Sequence, residues 1–155
     1  MNKIASFFAA LLLVVSGAAM AAGGPDLRFD PAPANRLDAE SLQRGARNFV
    51  NYCLNCHSAK YMRYERLLDI GLTEQQIKDN LMFTADSPHQ TMRVGLRPDD
   101  AKRWFGVAPP DLSLIARSRG TDYVYPFLRP LYADPSKATG TNNLVLPRTA
   151  MPGIC

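Results

Sequence analysis

The sequence predicts a small, mainly α-helical domain of about five helices joined by long proline-rich loops. Apolar residues recur at helical spacing in several short segments, and no alternating strand pattern is visible. The chain has 155 residues, 46% hydrophobic and 21% charged, which suits one domain and excludes wholesale disorder. Most of the 12 prolines lie outside the periodic segments, so the connections between helices are predicted to be long and irregular.

Five helices are predicted from apolar spacing and capping residues. Asp38 is the predicted N-cap of the first, which continues through Cys53. Thr73 and Gln76 form the predicted capping box of the second. The remaining three are predicted to begin at Asp99 or Asp100, at Asp111 with Gly120 as its end, and at Asp122 with Pro126 and Pro130 as interruptions.

The helical spacing also predicts which side chains are buried. Gly45 lies on the apolar stripe of the first helix, where it would let another helix approach closely. The inward-facing residues predicted for the later helices are Ile77, Leu81, Ala101, Trp104, Phe105, Leu112, Ile115 and Ala116.

The N-terminus is predicted to be an export signal. Lys3 precedes a short apolar run over residues 4–15, and an A-M-A tripeptide at the end of residues 1–21 fits a signal-peptidase site. A buried N-terminal helix is the alternative. Residues 22–36, rich in Gly, Pro and Ala, predict an extended arm, which leaves residues 37–155 as the folded domain.

Charge and hydropathy exclude two partner classes. Lys and Arg exceed Asp and Glu by only 18 to 14, which falls short of a nucleic-acid-binding signature. The sequence contains no run of 18 apolar residues, so it predicts no membrane-spanning helix.

One motif carries redox chemistry. Residues 53–57 are C-L-N-C-H, the C-x-x-C-H signature of covalent c-type haem attachment. Thiols with two residues between them on a helical turn match the spacing of the porphyrin vinyl groups, and the next histidine is thereby placed beneath the iron. We therefore predict one haem c on Cys53 and Cys56, with His57 as an axial ligand.

Three other interpretations of the motif are weaker. A thioredoxin-type redox pair is expected in a βαβ setting, and none is evident. A zinc site needs a second spaced pair of ligands, and only His89 and Cys155 remain. A disulfide between Cys53 and Cys56 would leave His57 without a role.

The second axial ligand is less certain from the pattern alone. The methionines that follow the predicted signal are Met62, Met82, Met92 and Met151. Met62 is too close to His57 in sequence to reach the opposite haem face, and Met82 ends an apolar stripe typical of a core. Met151 follows a long irregular segment, as expected of a strap over a haem face. Met92, in an apparently polar loop, and His89 remain alternatives.

The sequence resembles the cytochrome c1 family, the haem subunit of the ubiquinol–cytochrome c oxidoreductase (cytochrome bc1) complex. The resemblance runs from Leu42 to about Pro152. It rests on N-Y-C-L-N-C-H-S around the haem motif, on W-F-G-V-A-P-P-D-L-S at 104–113, and on R-S-R-G-T-D-Y at 117–123. The C-x-x-C-H motif is common to c-type cytochromes, whereas A-P-P-D-L-S in this order is specific to this family.

The resemblance implies roles for individual residues. It implies thioether bonds at Cys53 and Cys56, proximal ligation by His57 and distal ligation by Met151. Further implied haem contacts are packing by Pro109 and Pro110, one of whose carbonyls would orient the His57 N–H, neutralisation of a propionate by Arg119, and pocket lining by Tyr123.

The resemblance also implies an electron carrier without a separate catalytic site. Family members accept an electron from the Rieske iron–sulfur protein, in a complex with cytochrome b, and pass it to a soluble cytochrome c. They work at the periplasmic face of the bacterial inner membrane. A soluble periplasmic electron shuttle and a haem sensor with an open sixth site are the alternatives.

Members of the family continue for many tens of residues after the distal methionine and end in a transmembrane anchor. This sequence stops at Cys155, four residues after Met151. We therefore expect a C-terminally truncated copy that lacks the anchor, its only attachment to a membrane, and that holds Met151 weakly.

Overall fold

The structure is a computed structural model that describes residues 30–154. The predicted signal at 1–21, most of the arm at 22–36 and Cys155 lie outside the described residues. In the part that is described, the N-terminal arm contacts a late helix. The Ala32 amide donates to Asp122 Oδ1 at 2.8 Å, and Asp30 forms an ion pair with Arg129.

Residues 30–154 form five α-helices and two small antiparallel sheets. The helices are α1 (Ala39–Asn48), α2 (Glu74–Asn80), α3 (Pro98–Phe105), α4 (Ile115–Arg119) and α5 (Thr121–Leu128). A π-helical turn spans Phe49–Cys53, and a 3-10 helix spans Tyr64–Ile70. The strands are β1 (Ala59–Arg63), paired with β2 (Thr91–Met92), and β3 (Leu131–Ala133), paired with β4 (Thr141–Asn143).

The first two predicted helix starts are confirmed. The Asp38 carboxylate accepts the Ser41 amide and caps α1. Thr73 and Gln76 form a reciprocal capping box at the start of α2. Both devices satisfy backbone amides that have no partner in the first turn of a helix, and both depend on residues only three apart in sequence.

The predicted faces of α1 and α3 need correction. Gly45 was expected to admit a neighbouring helix, but a Cβ built at this position would meet no described atom within 4 Å. Helix α3 begins at Pro98, one residue earlier than predicted, because proline suits the first turn of a helix. Its one buried residue is Ala101, whereas Trp104 is 61% exposed and Phe105 only half-buried.

The predicted starts of α4 and α5 are also wrong. Helix α4 begins at Ile115 rather than after Asp111, whose carboxylate bonds to other backbone amides, and Ala116 on this helix is exposed. Gly120 does end α4, with φ 84, and it is also the N-cap of α5 in place of Asp122. A positive φ costs glycine little because it has no Cβ.

The two small sheets add to the predicted mainly α-helical domain, for which no strand pattern was visible in the sequence. Each strand has between two and five residues, and the β1–β2 pairing is irregular. Strands this short cannot show a sustained alternation of apolar and polar residues, which is the signal that sequence analysis uses.

The apolar core lies in the first half of the described chain. Ile77 and Leu81 are buried as predicted, and Tyr64 is fully buried with its hydroxyl 3.0 Å from Thr84 Oγ1. The buried cluster comprises Val50, Leu54, Ala59, Tyr64, Leu67, Ile77, Leu81 and Met92. No helix within residues 30–154 combines the length and the apolar character that crossing a membrane requires.

Candidate haem site

The C-x-x-C-H residues form one tight turn at the end of the π-helical segment. Cys53 is the last residue of that segment, and its carbonyl accepts the amides of Cys56 and His57 at 3.1 and 2.8 Å. The side chains of all three residues belong to half-buried positions. The turn therefore gathers two sulfur atoms and one imidazole on a short, hydrogen-bonded piece of backbone.

The His57 ring is oriented by a backbone carbonyl. Its Nδ1 lies 2.7 Å from the Pro110 oxygen. A carbonyl oxygen can only accept a hydrogen bond, so Nδ1 carries the proton and donates it. The neutral ring then has its lone pair on Nε2, the form in which histidine binds a metal. This contact is the one that the resemblance implies between His57 and the Pro109-Pro110 pair.

The Pro110 carbonyl belongs to a segment that runs alongside the haem motif. We call the pairing of residues 110–113 with residues 57–61 the junction. Besides the His57 contact, the Leu112 amide donates to the Ser58 carbonyl at 2.8 Å. The Lys60 amide donates to Asp111 Oδ2 at 2.9 Å. The Tyr61 amide donates to Ser113 Oγ at 3.1 Å.

Asp111 is held in its ionised form by these contacts. Partial burial raises the pKa of its carboxyl, but hydrogen bonds from Ser113 and from the Lys60 amide outweigh that effect and leave the pKa below its ordinary value. Asp111 was predicted to be a helix cap, and its contact with the Lys60 amide was missed. An Asp two residues before a Ser is typical of a side chain that accepts the nearby backbone amide, but this pattern signals only the local contact with Ser113.

A cavity of about 180 Å³ lies beside Cys56. Its lining includes the apolar residues Val94, Ala108 and Pro109 and the cations Lys60 and Arg93. Its volume is below the roughly 300–1,000 Å³ of a small-molecule pocket. Pro109 is half-buried in this wall, whereas Pro110 is exposed and contributes its carbonyl to His57.

The structure brings Arg119 and Tyr123 together. The Arg119 guanidinium lies 5.6 Å from the centre of the Tyr123 ring, a cation–π contact across the Gly120 turn. The Tyr123 ring in turn stacks on Phe127 at 6.2 Å and an interplanar angle of 22°. Arg119 is exposed, so its positive charge lies at the surface. The Tyr123 ring that it contacts is itself packed against Phe127.

Met151 lies in the last described segment and is half-buried. Thr141 of β4 holds this segment, because its hydroxyl contacts the Met151 carbonyl at 3.4 Å and accepts the Gly153 amide at 2.9 Å. These contacts join Met151 to β4, and they do not link it to the C-x-x-C-H turn.

The other candidate axial ligands are engaged elsewhere. Met92 is not in a polar loop, as the sequence suggested. It is a strand residue of β2, 2% exposed in the apolar core. Met62 and Met82 pack partly buried against that core. The His89 Nδ1 contacts the Glu65 carboxylate.

The residues present fit a c-type haem better than the rival groups. Cys56 is not part of a disulfide, which disfavours a structural Cys53–Cys56 bridge. Within residues 30–154, no three side chains of the His, Cys, Asp and Glu types come together as a metal-binding group. What the turn does present is two cysteine side chains and an imidazole whose Nδ1 contacts a backbone carbonyl, which is the donor set that haem attachment requires.

Comparison with known proteins gives a family for nearly all of the described chain. The family model described as "Cytochrome C1 family" matches residues 30–153. A protein of Nitrosomonas europaea named "Ammonia monooxygenase gamma subunit" is 47% identical over 131 residues, which are 84% of this chain and 56% of that protein.

Two relatives named "Cytochrome c1" extend the similarity. The protein of Allochromatium vinosum is 42% identical over 147 residues, covering 94% of this chain and 60% of the relative. That of Rhodospirillum rubrum is 32% identical over an alignment of 156 residues, covering 85% and 57%. The chain thus spans between 56% and 60% of the length of these relatives.

Proposed function

Because the chain belongs to the cytochrome c1 family, we propose that it is a haem-bearing one-electron carrier of a cytochrome bc1 complex. It receives the electron from the Rieske iron–sulfur protein, beside cytochrome b, and delivers it to a soluble cytochrome c. The observation that carries the proposal is the C-x-x-C-H turn, in which the Pro110 carbonyl holds the His57 ring with Nε2 available. The chain has no separate catalytic site in this proposal.

The cofactor is one covalent haem c. Cys53 and Cys56 form the thioether bonds, so the group cannot diffuse away outside the cell. His57 and Met151 would hold the iron, through an imidazole nitrogen and a thioether sulfur. When bound, the haem supplies reversible one-electron chemistry at its iron, and a methionine ligand raises the reduction potential. The Pro109-Pro110 pair packs on the His57 side of the ring.

Arg119 and Tyr123 serve the propionate edge of the haem. A carboxylate binds best to a guanidinium whose position is already restricted, because less side-chain entropy is lost. The stack of Arg119 on Tyr123 supplies that restriction.

We further propose that residues 37–155 form the haem domain, preceded by the arm at 22–36 and the export signal at 1–21. The domain then faces the periplasm at the bacterial inner membrane.

Haem attachment is tested by mass and by haem staining after denaturation. The chain is exported from cells that carry the haem-attachment machinery. We expect the mass to rise by one haem and the stain to persist on a denaturing gel. The Cys53→Ala and Cys56→Ala double variant should lose both signals, whereas Cys155→Ser, the matched control, should keep them. A wild-type chain with the bare polypeptide mass would contradict the proposal.

The axial ligand is tested with two methionine variants. Met151→Ala should abolish the ferric sulfur-to-iron charge-transfer band and let the ferrous protein bind carbon monoxide. Met92→Leu, which keeps the core volume, should retain the band. If the wild-type ferrous protein itself binds carbon monoxide, the sixth site is open and the sensor alternative is favoured.

Partnership is tested by capturing the native protein from detergent-solubilised membranes of its host. Cytochrome b and the Rieske protein should co-purify with it. The name of the Nitrosomonas relative makes ammonia monooxygenase subunits a second candidate assembly, and their capture would favour it. Recovery of the protein alone from the periplasmic fraction would instead favour a soluble shuttle.

A further inference from the structure

We infer that Asp111 and Ser113 are positioning residues, which hold the Pro110 carbonyl against His57 and so set the imidazole for iron binding. The inference rests on the proposed ligation by His57 and goes beyond it, because neither residue contacts the ring. Their role is exerted through the backbone of the junction.

The geometry begins with two prolines that cannot hold themselves in place. Pro109 and Pro110 have no backbone N–H, so neither can donate a hydrogen bond that would anchor this stretch to its neighbour. The Pro110 oxygen nevertheless lies 2.7 Å from His57 Nδ1. We infer that the residues that follow Pro110 hold its carbonyl in this position, because they carry the hydrogen bonds that the two prolines cannot donate.

Those residues form hydrogen bonds with Ser58 and with Lys60 and Tyr61 of β1. The Asp111 carboxylate accepts two amides, that of Lys60 at one oxygen and that of Ser113 at the other, both at 2.9 Å. Ser113 Oγ accepts the Tyr61 amide at 3.1 Å. The Leu112 amide completes the set by donating to the Ser58 carbonyl at 2.8 Å.

The hydrogen bonds that the Asp111 carboxylate accepts are expected to be the strongest of this set. An ionised acceptor makes hydrogen bonds roughly twice as strong as a neutral one. Both of its oxygens are used by amides from different segments, so the side chain bridges β1 and the turn that precedes α4. Its lowered pKa agrees with a carboxylate that is ionised in this bridge.

The junction also reaches the segment that follows β2. Ser58, directly after His57, accepts the Val94 amide on its hydroxyl at 3.0 Å, while its carbonyl accepts the Leu112 amide. The haem-motif side of the junction is thus fixed against the residues just after β2, and the Pro110 side is the one that depends on Asp111 and Ser113. Removal of Asp111 would leave the Pro110 carbonyl tied only by its more distant neighbours, and the His57 N–H without a fixed acceptor.

The test uses the haem-loaded chain and reads His57 directly. Acid titration of the ferric protein gives the midpoint at which the imidazole leaves the iron. Loss of an outer hydrogen-bond partner typically weakens a metal–histidine bond about 10–100-fold. For a one-proton step we therefore expect Asp111→Ala to raise the midpoint by about one to two pH units. Exchange of the His57 Nδ1 proton in the ferrous protein, followed by NMR, should also accelerate.

Graded variants keep the test valid if Asp111→Ala fails to fold. Asp111→Asn retains one acceptor oxygen but cannot accept both amides. Ser113→Ala removes the Tyr61 contact and the Ser113 side-chain bond to Asp111, but it leaves the Asp111 carboxylate and its Lys60 contact. Each should therefore give a smaller shift than Asp111→Ala. Exchange of the Lys60 and Tyr61 amides should accelerate by about tenfold in the variant that loses the corresponding acceptor.

Asp134→Ala is the matched control. Asp134 makes the same local contact, with the amide of Ser136 two residues later, but it lies beside β3, outside the junction. It should leave His57 N–H exchange unchanged. An unaltered midpoint and unaltered His57 exchange in haem-loaded Asp111→Ala would overturn the inference while the proposed function stands. A wild-type chain that carries no haem would be the separate failure of the proposed function.

Discussion

The first half of the described chain, residues 39–92, and the second half, residues 98–154, are held together by different forces. In the first half, apolar side chains close a core around Tyr64 and Ile77, each 0% exposed. Burial of this kind contributes about 1.5–3 kcal/mol for each large side chain. In the second half, two polar residues are buried, Asn142 and Asn143, at 6% and 1% exposure.

The second half is organised by the side chains of these two asparagines. Asn143 Oδ1 accepts the amides of Val145 and Leu146, and its Nδ2 donates to the Phe127 carbonyl at 2.7 Å. Asn142 binds the Asp134 carboxylate through its own amide group. The result is a set of loops pinned by hydrogen bonds, with few apolar groups removed from water.

Large apolar side chains are exposed in both halves of the described chain, but those of the second half have no buried apolar cluster of their own among the described residues. The exposed large hydrophobic residues of this half are Trp104, Val107, Leu114, Tyr132, Leu144 and Leu146. The comparison teaches that the first half folds around its own side chains, whereas the second half lacks an apolar centre among the described residues. We expect the haem to supply that centre.

The largest expected effect follows from preventing haem attachment. In the Cys53→Ala and Cys56→Ala double variant, hydrogen exchange should lose most of its protection in residues 98–154, because nothing covers their apolar side chains. Residues 50–92 should stay protected by their own core. Cys155→Ser, which still carries haem, is the control. Equal loss of protection in both halves would show that the division is wrong.

A substitution in the apolar core of the first half should destabilise the protein more than one on the surface of the second half. Ile77→Ala removes a fully buried side chain and should lower the free energy of unfolding by about 2–5 kcal/mol. Leu146→Ala, on the exposed surface of the second half, should change it by no more than about 0.5 kcal/mol. Denaturant titration in the haem-free Cys53→Ala and Cys56→Ala background measures both, and similar losses would contradict the comparison.

Asn143→Ala should have an intermediate effect. It leaves two amides and one carbonyl without their partner, and at about 1 kcal/mol for each hydrogen bond we expect a loss of about 2–3 kcal/mol. Asn80→Ala is the control, because its exposed side chain makes one bond, to the Gln76 carbonyl. If the two variants unfold at the same denaturant concentration, the asparagine does not organise the second half.

The smallest effect is on acid stability. Hydrogen bonds from Ser136 and Asn142 hold the pKa of the Asp134 carboxyl below its ordinary value. The folded state thus prefers the ionised form, so this contribution is present above about pH 4 and is lost as pH falls through the folded-state pKa. Asp134→Asn should flatten the acid limb of the stability curve slightly, and an unchanged curve would argue against the contact.

Local signals in the sequence predicted most of what depends on neighbouring residues. The Asp38 cap, the Thr73 capping box and the end of α4 at Gly120 are confirmed because each involves groups within a few residues of one another. Trp104 was predicted to be buried, but helical spacing identifies only one face of a helix. Whether that face is covered depends on other segments of the chain. In the structure, Trp104 is 61% exposed.

The candidate site divides in the same way. The haem motif at residues 53–57 is contiguous, so its chemistry follows from spacing. The partner of His57 lies 53 residues away, and the β1 amides accepted by Asp111 and Ser113 lie about as far. No periodicity marks such contacts, and helix-capping logic therefore assigned Asp111 wrongly.

The sequence by itself determined the family, the two thiols and imidazole of the haem motif, and the helices whose caps are local. Only the tertiary structure decided that Met92 belongs to the core, that short strands pair, and that Asp111 and Ser113 accept β1 amides beside the contact between Pro110 and His57. The physical reason is range: caps and covalent motifs act through adjacent atoms. Burial and the junction depend instead on which distant segments the folded chain brings into hydrogen-bonding distance.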